Sequence, residues 1–329
     1  MRLAMIARFD NSGLGTLSWE FANHLKPHKV LLVENGVFQT FPERYSQFAT
    51  RKIPFNGSMS QDDMNWLCEG VDIIFSIETF YSDIIPYARK RGVKTVLIPM
   101  CEMTADPQPR QPDLLICPSK LDMQMLEGRK IFLPIPVNTE KLIWKRREKA
   151  RVFVHTASHG GMNLRKGTPF LLEAMQYVKS AIKLIVYSWM PFSVEDDRVE
   201  VRRVNFKNYW QCWQEGDVLV YPQDYNGICL PIIEAMSSGL GVITTDIFPF
   251  NEYMPKPLLF QPESMYRTRA AKGLLEMDAA KIDSKRIAQK IDEWYDKDIS
   301  EFSEYGGKWA EENSWKKLLP KYQHVLNTL

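Results

Sequence analysis

The sequence predicts an α/β protein built from two doubly wound parallel-sheet domains. Three observations carry that expectation. The chain has 329 residues, more than one average core accommodates and enough for two domains of ordinary size. Short apolar runs of strand length alternate with amphipathic stretches of helical length, the order that builds a parallel sheet covered on both faces. The alternation breaks once, at Pro134 and Pro136, and restarts at Arg151.

The first series opens with Arg2–Ala7, a buried-type strand whose apolar part is too brief for a signal peptide. The loop Phe9–Gly15 follows, then an amphipathic helix around Leu17–Leu25. Further strands are expected at Val30–Val33, Asp72–Ser76, Lys94–Ile98 and Leu114–Cys117, with helices between, notably Ser82–Arg91. The segment Trp144–Ala150, WKRREKA, reads as an exposed charged connector. It separates a first domain, 1–147, from a second, 148–312. Strands of the second series are expected at Arg151–Ala157, Lys183–Tyr187, Val199–Val204 and Asp217–Tyr221. Residues 313–329 read as a final helix. Ser314 suits its N-cap, and Trp315, Leu318, Leu319, Tyr322 and Val325 recur at helical spacing.

Composition narrows the class. Apolar residues make up 45% and charged ones 25%, the balance of a globular chain. No apolar run approaches the ~20 residues needed to span a bilayer. Five cysteines, at 68, 101, 117, 212 and 229, form no C-x-x-C pair and read as reduced thiols of a cytoplasmic protein. A formal net charge of +2 neither demands nor excludes a polyanionic partner.

The most informative stretch is Asn226–Asp246, NGICLPIIEAMSSGLGVITTD. It follows a strand and a polar turn. Gly227 lets backbone approach a ligand, and Pro231 starts a helix where no amide hydrogen is needed. The helix Ile232–Ser238 turns its positive end toward the loop, with Glu234 expected in the first turn. Gly239 ends it, and Val242–Thr245 is the next strand. A strand, loop, helix and strand in this order form the crevice where open α/β sheets bind nucleotides.

This stretch resembles the donor-site signature of retaining glycosyltransferases with the GT-B fold, of the family-4 type (glycosyl transferases group 1). Gly227, Leu230, Pro231, Glu234, Ala235, Met236, Gly239, Val242 and Asp246 fit the pattern. The resemblance implies two Rossmann-like domains facing each other across a cleft, with the final helix crossing back to the first domain. It implies that Glu234 accepts hydrogen bonds from the nucleotide ribose, and that Asn226 replaces a Glu that contacts the donor sugar. The backbone of Gly227, Ile228, Cys229 and Leu230 would line the donor. A UDP- or GDP-sugar is the implied donor substrate, with no cofactor and no metal. Cationic side chains and helix dipoles would carry the leaving diphosphate's charge.

Two further loops complete the expected donor site. In Asp10–Thr16, DNSGLGT, Gly13 and Gly15 are expected to free the backbone into a concave row of amides before the first helix. A plain tight turn is the alternative. In His155–Met175, Lys166-Gly167 followed by LLEA resembles the motif in which a Lys binds donor phosphates. The Arg usually found five residues earlier is here Gly161, and Arg165 stands beside the Lys instead. Lys166 and Arg165 are therefore expected both to bind and to act catalytically on the leaving group. His155 and His159 lie four apart but begin on a strand, which disfavours a metal pair.

Family members place a His after the fourth strand of the first domain. The matching segment, Val96–Pro107, has none, and Cys101 or Glu102 falls there. Glu102 suits a group that orients an acceptor hydroxyl or takes its proton; capping a turn is the alternative. Asp10 and Glu78 are expected strand-end carboxylates of the same side. Asp296-Lys297-Asp298 and Glu195-Asp196-Asp197 read as surface segments, not as metal ligands. The acceptor is left open among glycans, lipids and DNA carrying hydroxymethylated bases. Basic clusters at Arg89–Arg91, Lys145–Arg147 and Arg267–Lys272 keep DNA among them. Two rivals stand beside this reading: an enzyme of another class on the same fold, such as a nucleotide-sugar epimerase, and a protein that binds a nucleotide sugar without turning it over.

Overall fold

The computed structural model describes residues 1–55, 59–78, 81–108, 110–159 and 164–329, apart from the Leu164 side chain. The chain divides into two units, one of residues 1–136, 269–275 and 315–329, the other of residues 137–268 and 276–314.

Unit 1 runs β1 (Leu3–Arg8), α1 (Gly13–Leu25), β2 (Lys29–Glu34), β3 (Ala49–Pro54), α2 (Gln61–Cys68), β4 (Ile73–Ile77), α3 (Ile84–Arg89), β5 (Lys94–Ile98), β6 (Leu114–Cys117), α4 (Lys120–Met125) and β7 (Lys130–Phe132). The strands form one sheet in the order β3-β2-β1-β4-β5-β6-β7, with every neighbouring pair parallel. All six residues of β1 are buried, as expected of a central strand covered on both faces. The order reverses between β1 and β4, which makes the ends of these two strands the switch point of the sheet.

Unit 2 continues with β8 (Val152–Ser158), α5 (Thr168–Ala174), β9 (Lys183–Ser188), β10 (Val199–Arg203), β11 (Val218–Tyr221), α6 (Leu230–Ser237), β12 (Gly241–Thr245), β13 (Leu259–Phe260), β14 (Ser264–Thr268), β15 (Met277–Lys281), α7 (Ser284–Trp294) and α8 (Ser300–Glu312). Its main sheet is parallel in the order β10-β9-β8-β11-β12-β13, so the switch point lies between β8 and β11. β14 and β15 form a separate antiparallel hairpin. Helix α8 packs closely on α6: a Cβ at Gly306 would stand 2.2 Å from the Met236 carbonyl oxygen.

The last helix, α9 (Trp315–Asn327), returns the chain to unit 1. Trp315 packs edge-on against Phe21 at 4.9 Å and stacks on His24 at 4.0 Å. The Tyr322 hydroxyl donates to the Pro134 carbonyl at 3.0 Å. The face Trp315, Leu318, Tyr322 and Leu326 is buried, the stripe expected of an amphipathic helix on a core. The Ser314 hydroxyl, expected to cap α9, is spent on the Glu311 carbonyl at the end of α8.

Two expectations about local structure are corrected. The connector is not wholly exposed. The Trp144 indole donates to the Ser303 carbonyl at 2.8 Å, and Arg147 is only 5% exposed. Gly13 and Gly15 lie inside α1, which starts earlier than the apolar pattern because Ser12 caps it, accepting from the Gly15 amide. Gly15 is needed for space and not for an unusual backbone conformation. A Cβ there would sit 2.1 Å from the Asp10 carbonyl oxygen.

Candidate functional site

The switch point of unit 2 gathers the residues that resemble a donor site. The loop after β8 carries Arg165 and Lys166 in a short 3₁₀ turn, Leu164–Lys166; Gly161 lies outside the described residues. The loop after β11 carries Asn226 to Cys229 and leads into α6. The two loops touch. Gly167 has φ +70°, and a Cβ on it would stand 1.8 Å from the Pro222 carbonyl oxygen. Only glycine combines that left-handed conformation with that closeness. The Arg165 guanidinium lies 5.4 Å from the Tyr225 ring centroid, a cation–π distance.

A histidine fixes this junction from below. His155, on β8, is fully buried. Its Nδ1 lies 2.8 Å from the Val220 carbonyl oxygen on β11, and its Nε2 lies 2.8 Å from the Thr168 hydroxyl at the start of α5. A carbonyl only accepts, so Nδ1 carries the proton and Nε2 accepts from Thr168. Burial pushes the His155 pKa down to about 4, the Val220 bond opposes this, and the Lys166 charge adds to it. A neutral imidazole therefore ties the two central strands to the turn that bears Lys166. The sequence marked His155 only as half of a disfavoured metal pair.

Lys166 is partly exposed, and its pKa is lowered to about 8, first by burial and then by the Arg165 charge; Cys229 pulls the other way. Two cations side by side and partly buried favour the approach of an anion. Facing them, Cys229 adopts φ 58° and forms the N-terminal boundary of α6. The Asn226 amide oxygen accepts from the Cys229 amide at 3.1 Å, and its Nδ2 donates to Gln223 Oε1 at 2.6 Å. Asn226 thus shapes the loop with the same groups expected to meet a sugar. Tyr253 braces Ile228, its hydroxyl donating to the Ile228 carbonyl at 3.4 Å.

Glu234 is the fifth residue of α6, two positions further in than expected and past the first turn, because the helix begins at Leu230. Its Oε2 accepts from the Trp213 indole Nε1 at 3.2 Å. Trp213 sits in a 3₁₀ turn, Tyr209–Trp213, that also borders a cavity of about 710 Å³ lined in part by Asn205, Phe206, Asn208 and Gln211. No periodicity links residues 213 and 234, so Trp213 was not legible as a partner.

In unit 1, Glu102 is 4% exposed in a turn after β5, Cys101–Met103. Asp122, fully buried at the start of α4, accepts from the Cys101 amide at 3.0 Å. Burial raises its pKa to about 7, hydrogen bonding from Ser119 opposes the rise, and the nearby Glu102 charge adds to it. Asp10 is not a free strand-end acid. It takes bonds from the Arg8 guanidinium (2.9 Å from Nε), the Ser12 amide (3.0 Å) and the Ser12 hydroxyl, so it organises the start of α1. Glu78 ends β4 with φ 52°. Gly13 and Gly15 lie with Asp10 in unit 1, whereas Lys166, Arg165, Asn226, Gly227, Ile228, Cys229, Leu230 and Glu234 share one end of the unit 2 sheet. Among the described residues, no three His, Cys, Asp or Glu side chains gather as metal ligands. Asp296 pairs with Arg151 at 2.7 Å and Asp196 with Arg198 at 2.7 Å.

Comparison with known proteins bears on the fold. Residues 151–273 match the family model described as "Glycosyl transferases group 1". No curated protein matches the chain. Among solved structures, the fold is similar to Alr3699/HepE of Anabaena in complex with UDP and glucose, with TM-score 0.69 and 11% identity over 100% of both chains. It is also similar to sucrose-phosphate synthase from Thermosynechococcus elongatus, with TM-score 0.67 and 13% identity, covering 100% of this chain and 98% of that one. A glycosyltransferase from Rickettsia africae gives TM-score 0.68 at 11% identity, covering 98% and 97%. The architecture is GT-B: two parallel-sheet, Rossmann-like domains.

Proposed function

We propose that this chain is a glycosyltransferase that moves a hexose from a nucleoside-diphosphate sugar to a hydroxyl acceptor with retention of configuration. The observation that carries the reading is the junction at the unit 2 switch point. There Arg165 and Lys166 meet the Asn226–Leu230 loop and the start of α6, within the segment matched by the group 1 family model. Unit 2 is the donor domain and unit 1, completed by residues 315–329, the acceptor side. UDP-glucose is the donor to test first, because the Anabaena neighbour was solved with UDP-glucose.

The chemistry follows from charge. As the glycosidic bond breaks, negative charge grows on the diphosphate, and Lys166, Arg165 and the positive end of α6 stabilise it more than they stabilise the intact donor. Glu234 holds the ribose. Glu102 orients the acceptor hydroxyl. For the acceptor, a glycan is favoured over hydroxymethylated DNA, because the basic clusters are locally engaged. Arg89 pairs with Asp113, Arg146 with Glu304, Arg267 with Glu276 and Asp278, and Arg269 with Asp106, while Arg147 is buried. Cations already engaged in this way contribute less to counterion release from a phosphate backbone.

Incubation of the protein with labelled UDP- and GDP-sugars, alone and with an array of glycans, lipids and hydroxymethylated DNA, tests the reading. Donor turnover with label in a product of retained configuration is expected. Binding of donor without turnover under every condition would instead identify a nucleotide-sugar-binding protein. Glu234→Ala should weaken UDP binding by roughly 1.5–3 kcal/mol, the size of a hydrogen bond to a charged group. Calorimetry checks it.

A further inference from the structure

Arg147 was read from the sequence as one cation of an exposed basic connector, and its surroundings say otherwise. Its guanidinium is inserted into the turn that follows Trp213. Nε donates to the Gly216 carbonyl at 2.8 Å, Nη1 to the Lys145 carbonyl at 3.0 Å, and Nη2 to the carbonyls of Trp213 and Gln214, both at 3.2 Å. Its main-chain amide donates to the Ser303 hydroxyl at 3.0 Å. These partners are neutral. Burying a guanidinium among carbonyls is costly, and its pKa is lowered by that burial, with Asp217 opposing. A lysine could not reach these carbonyls from one head group, since the planar fork of donors is what spans them.

The far side of the same turn carries the Trp213 indole, 2% exposed, whose N–H reaches Glu234. The connector is held against the end of α6 as well. The Lys145 amide donates to the Ser238 carbonyl at 3.2 Å, and a Cβ at Gly239 (φ +89°) would stand 2.2 Å from the Lys145 carbonyl oxygen. Arg147 therefore clamps the turn bearing Trp213 to a segment that is itself fastened to the helix bearing Glu234.

We propose that Arg147 and Trp213 are positioning residues for Glu234, setting the orientation of its carboxylate toward the nucleotide's ribose. This rests on the reading of Glu234 given above and deepens it. Trp213 acts directly, through the indole N–H that it donates to Oε2. Arg147 acts through Trp213, by fixing the main chain from which the indole projects. Neither touches the ligand.

The test is a double-mutant cycle read by calorimetry with UDP and GDP, with thermal unfolding run in parallel. Trp213→Phe and Arg147→Lys should each weaken binding of the preferred nucleotide by about three- to tenfold, the loss of one net hydrogen bond. Hydrolysis of saturating donor should keep its kcat while KM rises. In the Glu234→Ala background the same substitutions should add nothing, because the group they orient is gone. Variants that lower the unfolding temperature yet bind UDP and GDP like the parent would overturn the proposal, as would losses that persist undiminished on Glu234→Ala. If Arg147→Lys does not fold, Trp213→Phe alone decides. Glu234→Ala with unchanged affinity would remove the reading of Glu234 itself, and this proposal with it.

Discussion

Lys166 and His155 illustrate how single residues acquire roles from their surroundings. Lys166 is a general cation by sequence, but burial and Arg165 bring its pKa down to about 8, so its charge is lost within an accessible range. The sign is specific. The folded pKa lies below the ordinary 10.5, so between about pH 8 and 10.5 the unfolded chain holds a proton that the folded one has released, and stability from this group rises with pH there. Ligand binding runs the opposite way, because a diphosphate favours the charged form. UDP affinity should therefore fall as pH rises above 8, by up to about tenfold per pH unit, while Lys166→Ala should bind weakly with no such slope. Calorimetry at pH 7, 8 and 9 distinguishes them. An identical slope in the variant would assign the titration to another group. His155 shows the reverse, a residue type usually suspected of chemistry that is locked neutral as a strut.

At the scale of elements, the decisive contact is between the loop after β8 and the loop after β11. Gly167→Ala should disrupt it, adding about 1–2 kcal/mol of left-handed strain to a clash with the Pro222 carbonyl that cannot be relieved without moving a loop. Gly36→Ala is the control, because Gly36 also has a positive φ, +77°, but open space around it. Urea unfolding should show Gly167→Ala clearly less stable than Gly36→Ala, with UDP binding lost only in the former. Equal losses would mean the loops part easily. The central strands were legible because they are buried on both faces and read as unbroken apolar runs, residues 3–7 and Val218–Tyr221 among them. The strands β3, β14 and β15 were not. β3 is a sheet edge, β14 and β15 pair only with each other, and these segments are largely exposed or of mixed burial, so no apolar pattern marks them.

For the whole molecule, pH enters through a buried acid in unit 1. Asp122 has a folded pKa near 7, raised chiefly by burial, so between about pH 4 and 7 the folded state holds a proton that the unfolded chain has lost. Its contribution to stability falls as pH rises through that window and stays low above it. Asp122→Asn keeps the shape without the charge. It should match the parent near pH 5 and unfold at a higher temperature near pH 8. Thermal melts at both values check this, and a variant no more stable at pH 8 would mean that the Cys101 amide and Ser119 fully compensate the charge.

Sequence alone determined what depends on local order along the chain. It specified the two alternating series, the break between them, the glycine that ends α6 at φ +89°, and the segment whose spacing resembles a donor site. These are readable because strand period, helix start and glycine conformation are set by neighbours a few residues away. Tertiary structure decided what depends on residues far apart in the chain meeting in space. His155 with Thr168 and Val220, Trp213 with Glu234, Arg147 with four carbonyls, and Asp122 beside Glu102 are such meetings. Their physical cause is common to all: a polar group deep in a core must find its partner wherever the fold supplies one, and no periodicity records that choice.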